Sequence, residues 1–144
     1  MGSSVRYRAA CWAFEESLLD ALKRVVARSR CDCATLSGID STLAVAVAKS
    51  LGLSPRCYTV VFTGGLPRDL MYAEYVSKWL NLELRYVLID EGYLRRTLDA
   101  LLRCVGETAH ELCVELRNDV VSYAALSEAK RDGCRCGTPR VRWG

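Results

Sequence analysis

The hydrophobic pattern alternates between short apolar runs and longer segments in which apolar residues recur at helical spacing. Short, mostly apolar runs between helical patterns indicate strands, and they occur at 31–36, 56–62 and 84–89, of which the first two are expected to be buried. Apolar residues at helical spacing predict helices at 14–30, 40–51, 69–80, about 91–104 and 117–130. The predicted elements therefore alternate between helix and strand along most of the chain.

Two helix ends and one helix start carry specific signals. Gly52 follows the second helical segment and Gly133 follows the last one, so each is expected to end its helix in a left-handed conformation. Asn118 or Asp119 is a suitable N-cap for the last helix, which we accordingly expect to start near residue 117.

The order of the elements defines an expected fold class. Strands that alternate with helices favour an α/β fold in three layers, α/β/α, with a parallel sheet and right-handed crossovers. We expect one domain over 1–133. The segment 134–144 has neither strand nor helix periodicity and contains proline and glycine, so we expect an irregular tail.

Composition narrows the class of partner and compartment. The 144 residues are 51% hydrophobic and 26% charged, which is typical of a globular protein, and the net charge of +3 is small and scattered. We therefore expect no nucleic-acid partner. No stretch is long enough for a membrane helix, and the N-terminal segment lacks the apolar region of a signal peptide, so a cytoplasmic protein without a membrane partner is expected.

Eight cysteines are many for such a chain, and three explanations remain open. They are disulfide bonds, which inside cells are known mainly from hyperthermophiles, buried thiols, and a structural zinc site. The pairs Cys31-x-Cys33 and Cys134-x-Cys136 have a spacing that suits a single tetrahedral metal site poorly.

The turn after the first predicted strand is the strongest candidate for chemistry. Ligands of parallel α/β sheets collect at the carboxyl ends of strands, and here the sequence Leu-Ser-Gly-Ile-Asp-Ser-Thr leads into a helix. Backbone N–H groups at a helix N-terminus, together with hydroxyl groups, suit phosphate. The alternative is that Asp40 or Ser41 simply caps the helix. Neither a Walker loop nor a dinucleotide fingerprint occurs.

The segments TLSGIDSTLAVAVAKSLG, RDLMYAEYVSKWLNLELRYVLID and RNDVVSYAALSEAKRDG carry a family resemblance. Over about residues 14–133 the chain resembles the ATP pyrophosphatase (PP-loop) superfamily, and within it the synthetase domain of asparagine synthetases. The resemblance implies an adenine nucleotide alpha hydrolase-like (HUP-type) fold. It also implies ATP and Mg²⁺ as cofactors and small-molecule partners, namely a nucleotide and an amino-acid substrate.

The resemblance also implies roles for individual residues. Leu36 would lie beside the adenosine, Phe62 near the adenine, and Asp40 would help to place Mg²⁺. The pyrophosphate end of ATP would be held by Ser37, Gly38, Asp40, Ser41 and Thr42. The implied activity is adenylation of a carboxylate, such as that of aspartate, for amidation, with release of AMP and pyrophosphate.

Two departures from the family pattern bear on that activity. The family loop reads S-G-G-x-D-S, whereas this loop has one glycine and is one residue shorter, and Ile39 would cost roughly 1 to 2 kcal/mol if it were left-handed. The acidic Gly-Asp-Gly-x-Asp-Glu motif of the family does not follow the last helical segment.

Those departures favour a second hypothesis, a truncated or decayed relative that acts only as a nucleotide-binding or structural module. A third, an electron-flavoprotein or stress-protein type of nucleotide binder, fits the Ser-Gly-Ile-Asp-Ser-Thr loop less well. Apolar surface beyond the third strand would further suit a homodimer.

Overall fold

The computed structural model describes residues 2–29, 31–65, 68–105 and 113–135. Five helices and three strands are found in these ranges. The helices are α1 Gly2–Ser29, α2 Ile39–Ser50, α3 Arg68–Leu80, α4 Glu91–Val105 and α5 Cys113–Arg131, and the strands are β1 Cys33–Thr35, β2 Arg56–Phe62 and β3 Leu84–Ile89.

The strands form one sheet in the order β1-β2-β3, and both pairings are parallel. Cys33 pairs with Arg56 at the start of β1, and Cys57 pairs with Leu84 at the start of β3. Parallel neighbours need a crossover between them, and α2 and α3 supply it. The predicted α/β class with a parallel sheet is confirmed.

Helices cover both faces of the sheet because its inner strand is apolar on both. On one face, Tyr58 packs with Val87 and Ile89 against the small residues of α5. On the other face, Cys57 packs with residues of α2 and α3, whose buried members are Val45, Ala73 and Val76. Helix α1 packs on α2 and α4 packs on α5, which gives the three layers expected from the sequence.

Element boundaries agree best for the two longer strands. Strands β2 and β3 span the predicted residues, whereas β1 is shorter than the predicted 31–36. The N-cap predicted for the last helix is wrong, because α5 begins at Cys113 and Asn118 and Asp119 lie within it. The preceding residues CVELR contain no helix breaker, so nothing stops the helix from starting earlier.

Left-handed residues end the helices as predicted at two positions. Gly52 has φ +77°, and the Leu53 N–H donates to the Ala48 carbonyl at 3.0 Å, the bond that closes a Schellman motif after α2. Gly133, with φ +73°, has the same place after α5. Each turn sends the chain directly back towards the sheet.

Of the predicted irregular tail, only Cys134 and Arg135 are described, and 136–144 lie outside the described residues. Within the described ranges, every helix is too short or too polar to cross a bilayer.

Candidate functional site

The carboxyl edge of the sheet is uneven because β2 is longer than β1. Thr35, the last residue of β1, pairs with Tyr58, and the Leu36 N–H still donates to the Tyr58 carbonyl at 2.8 Å. Strand β2 continues to Phe62, which at about 3.3 Å per residue lies roughly 13 Å beyond the level of Thr35. The turn from β1 to α2 therefore lies next to the part of β2 that extends beyond the end of β1.

Ser41 organises the turn through its hydroxyl group. Its Oγ accepts the N–H groups of Ser37 at 3.0 Å and Gly38 at 3.1 Å, and it donates to the Gly38 carbonyl at 2.9 Å. The N-cap of α2 is Gly38, and Ser41 accepts its N–H in a capping box, so Ser41 does cap the helix as the alternative expected, whereas Asp40 does not occupy the cap position. Ser41 sits at the third helical position and closes the turn from inside.

Two further predicted site residues lie in the first turn of α2. The Thr42 hydroxyl donates to the Gly38 carbonyl at 2.8 Å, which leaves its lone pairs able to accept. Asp40 is exposed in this turn. A carboxylate there is favoured by the helix dipole, but it would repel a phosphate unless a cation lay between them.

The shortened loop carries no left-handed strain. Gly38 has φ −140°, and outside glycine the only positive φ in the described residues belongs to Asn81. Ile39 is the first residue of α2 and is 77% exposed. Ile39 therefore does not carry the cost expected for a left-handed residue. The helix starts one residue earlier than predicted, and Ile39 is its first residue.

Leu36 is buried completely, against Val45, Cys57, Ala73 and Val76. Its side chain anchors the turn to the core below α2 and α3. Any contact of Leu36 with an adenosine would therefore have to be made by its backbone.

Phe62 ends β2 with its ring partly exposed and packed on Gly64. A Cβ at residue 64 would lie 2.6 Å from Phe62 Cε1, so a larger residue there would displace the ring. The small residues of the turn Thr63-Gly64-Gly65 therefore leave room for the partly exposed Phe62 ring at the carboxyl edge.

The sequence did not reveal a second polar cluster, which lies at the amino edge of the sheet. The Tyr58 hydroxyl donates to Asp132 Oδ2 at 2.7 Å and lies 3.4 Å from Cys134 Sγ. Arg85 forms an ion pair with the same carboxylate oxygen at 2.9 Å. The paired cysteines of the sequence were the one signal that pointed here. Tyr58 is separated from Asp132 and Cys134 by about 75 residues, and contacts between such distant residues leave no pattern in the local sequence.

Burial and hydrogen bonds shift the pKa values of this cluster. Burial raises the pKa of Tyr58, and burial together with a hydrogen bond to Cys134 raises the pKa of Cys33 to about 12. The hydrogen bond from Tyr58, assisted by the Arg85 charge, lowers the pKa of Asp132. Cys33, Cys57 and Cys134 carry thiols, and Cys31 is disulfide-bonded.

Fold and turn together define an α/β domain whose parallel sheet leads, at its carboxyl edge, into a hydroxyl-rich turn and a helix N-terminus. The chain matches the family model for asparagine synthase over residues 13–137, and it belongs to that family. A comparison with curated proteins gave no match, and neither did a comparison with solved structures.

Proposed function

We propose that the chain is an ATP-binding domain that adenylates a carboxylate, such as that of aspartate, for amidation. The observation that supports this most directly is the turn Ser37–Thr42 at the carboxyl edge, in a chain of the asparagine synthase family. In such a reaction a carboxylate oxygen attacks the α-phosphorus of ATP and pyrophosphate leaves. An amine or ammonia then displaces AMP from the acyl adenylate and forms the amide.

The start of α2 would hold the pyrophosphate. The first N–H groups of a helix have no partner within the helix, and here they open to the edge at which nucleotides bind in parallel α/β sheets. The Thr42 hydroxyl lies in the same turn and can accept or reorient towards a ligand. Phe62, with its ring partly exposed, would lie near the adenine and offer it a face for stacking.

Asp40 would hold Mg²⁺ against the phosphates. It is an exposed carboxylate on the turn that would receive them, and hard cations prefer carboxylate and phosphate oxygens. When bound, Mg²⁺ neutralises phosphate charge and polarises the phosphoryl oxygens. Without a cation the Asp40 carboxylate would repel the phosphate. Asp40 and a phosphate can therefore share this turn when a cation lies between them.

Calorimetric titration of the full chain with ATP and Mg²⁺ tests the binding step. We expect binding that Asp40→Ala abolishes and that Asp99→Ala, a change to an exposed aspartate on α4, leaves intact. The absence of binding to the unchanged chain would refute the proposal. A second assay adds aspartate and ammonia and separates the products. AMP with pyrophosphate supports adenylation, whereas ADP with phosphate contradicts it.

The second candidate is a relative that binds nucleotide without turnover, or that serves only as a structural module. One observation favours it: the Ser41 hydroxyl occupies the N–H groups of Ser37 and Gly38, two donors that would otherwise be available to phosphate. Binding of ATP without release of AMP from any amino-acid carboxylate would support this alternative.

The partner and compartment follow from the same proposal. The proposed partners are small molecules, a nucleotide and an amino acid, and the proposed compartment is the cytoplasm. The second proposed partner is another copy of the chain, since β3 is an edge strand of the described sheet and exposes Tyr86 and Leu88, and α3 exposes Tyr75 and Trp79.

A further inference from the structure

Three side chains of types that can ligate a metal meet at the amino edge of the sheet. A carboxylate oxygen of Asp32 and the Sγ atoms of Cys33 and Cys134 all lie within 4.8 Å of one another. Cys33 is the first residue of β1, so this cluster lies at the end of the strand opposite to the Ser37–Thr42 turn. The proposed function uses none of the three residues.

The end of α5 is built so that Cys134 reaches β1. Gly133 is left-handed, and the Cys134 N–H donates to the Ala129 carbonyl at 2.9 Å, which completes the Schellman motif after α5. The next residue, Arg135, is bound through both its carbonyl and its N–H to Asp32, the residue that precedes β1. The Asp32 N–H donates to the Arg135 carbonyl at 3.1 Å, and Asp32 Oδ1 accepts the Arg135 N–H at 2.7 Å.

These contacts also orient the Asp32 carboxylate. One of its oxygens is held by the Arg135 amide, which restricts rotation of the side chain. A carboxylate oriented by a backbone amide is a common arrangement around metal ligands. The three donors are therefore positioned by the backbone of two elements that are far apart in sequence.

A polar cavity of about 310 Å³ opens beside the cluster and gives a ligand access to it. Its lining residues are Asp32, Ser54, Arg56, Glu83, Asp132, Gly133 and Cys134. Arg56 pairs with Glu83 at 3.2 Å, and Arg85 pairs with Asp132, so two of the three lining carboxylates are already neutralised. Asp32 is left facing the thiols.

We propose that Asp32, Cys33 and Cys134 bind a thiophilic divalent cation of the zinc type, with a fourth position open to the cavity. Metal–sulfur distances of about 2.3 Å and metal–oxygen distances of about 2.0 to 2.2 Å place the donors of a tetrahedral site roughly 3.5 to 3.8 Å apart. In the structure the three donor atoms lie within 4.8 Å of one another, so a small shift would bring them to these distances. Binding converts two thiols to thiolates and releases their two protons.

The site would join β1 to the end of α5. A cation held there stabilises the folded state over the unfolded chain, because the donors come together only on folding. It does not depend on ATP, since the nucleotide turn lies at the other end of β1.

Titration of the full chain with Co²⁺ tests the proposal, because cobalt bound to thiolates shows charge-transfer absorption that cobalt bound only to oxygen lacks. The chain is reduced, freed of metal and titrated. We expect thiolate absorption that saturates at one cobalt per chain and disappears on addition of Zn²⁺. Cys134→Ser should abolish it, and Asp32→Asn should weaken the binding at least tenfold.

Two matched variants serve as controls. Cys57→Ala removes a thiol from the opposite face of the sheet, and Glu83→Gln removes a carboxylate from the same cavity, so both should keep the absorption. Absorption that survives Cys134→Ser, or none in the unchanged chain, would overturn the proposal. So would a peptide map of the chain isolated without reductant in which Cys33 and Cys134 are joined as a disulfide.

Because this readout is independent of nucleotide, its outcome can be separated from that of the ATP titration. A cobalt signal in a chain that binds no ATP supports the metal site alone. ATP binding without a cobalt signal sinks the metal site alone.

Discussion

The Tyr58 hydroxyl donates a 2.7 Å hydrogen bond to Asp132, and this bond joins the central strand to the end of the last described helix. Tyr58 is 1% exposed, so its hydroxyl is separated from bulk water. Arg85 on the neighbouring strand contacts the same carboxylate oxygen. Asp132 Oδ2 therefore links β2 and β3 to the residue that follows α5.

Removal of that hydroxyl should be costly. We expect Tyr58→Phe to lower the free energy of unfolding by about 1 to 2 kcal/mol, because a partly buried hydrogen bond to a charged acceptor is lost. Urea denaturation measures it. Tyr86→Phe is the matched control, since Tyr86 is exposed and bonds Glu74 at 3.0 Å. Equal losses in the two variants would show that the burial of Tyr58 adds nothing.

Acid should weaken the fold partly through Asp132. Its pKa is lowered from the ordinary 3.8 in the folded state, so the unfolded chain binds the proton more tightly. The resulting stability is complete above about pH 5 and is lost as the pH falls through the lowered value. We expect Asp132→Asn to be less stable at neutral pH and to lose less on acidification, as measured by urea midpoints down to about pH 2.5.

The control for this pH series is Asp99→Asn on α4, where the acid limb should match that of the unchanged chain. If Asp132→Asn kept the full acid limb, the stability lost in acid would have to come from other carboxylates. Glu83 is the next one to test, because hydrogen bonds and ion pairs with Arg85 and Arg56 lower its pKa as well.

A glycine at position 39 should not help the loop. Ile39 begins α2 without positive φ and with an exposed side chain, so there is no strain for glycine to relieve. We expect Ile39→Gly to lower the free energy of unfolding by about 0.5 kcal/mol through its poorer helix propensity, and not to tighten ATP binding. Thermal melts and the same calorimetric titration measure the two effects. A gain in stability would show that the turn is strained after all.

The exposed apolar side chains near β3 should control self-association. Leu88 is 67% exposed on the edge strand, and Trp79 is 71% exposed on α3. We expect light scattering at micromolar concentration to find a dimer that Leu88→Lys converts to a monomer. Val25→Lys, a change to an exposed valine on α1, should leave the dimer intact. A monomer in the unchanged chain would contradict the expectation.

Much of the fold could be predicted because its helices and strands follow from the local spacing of apolar residues. Strands β2 and β3 are short apolar runs, and their limits match because polar or turn residues flank them on both sides. The limits of α5 did not match. A good cap such as Asn118 marks a possible start, but the helix extends upstream when no residue interrupts it.

The candidate turn was located from the order of the elements, since strand, small residues and helix occur in sequence. Its internal bonding could not be predicted in the same way. That Ser41 would accept two backbone N–H groups depends on where the helix begins, and a shift of one residue changes it. The cluster of Asp32, Cys33 and Cys134 was still harder to predict from the sequence, because only the folded chain brings residues 32 and 134 together.

The central position of β2 has a consequence for the order of folding. It is the only strand of the described sheet that is paired on both sides, and each pairing closes a loop that contains an entire helix. Closing such loops costs chain entropy before any contact is gained. Substitutions in β2 should therefore slow folding, whereas those on β3, an outer strand of the described sheet, should chiefly speed unfolding.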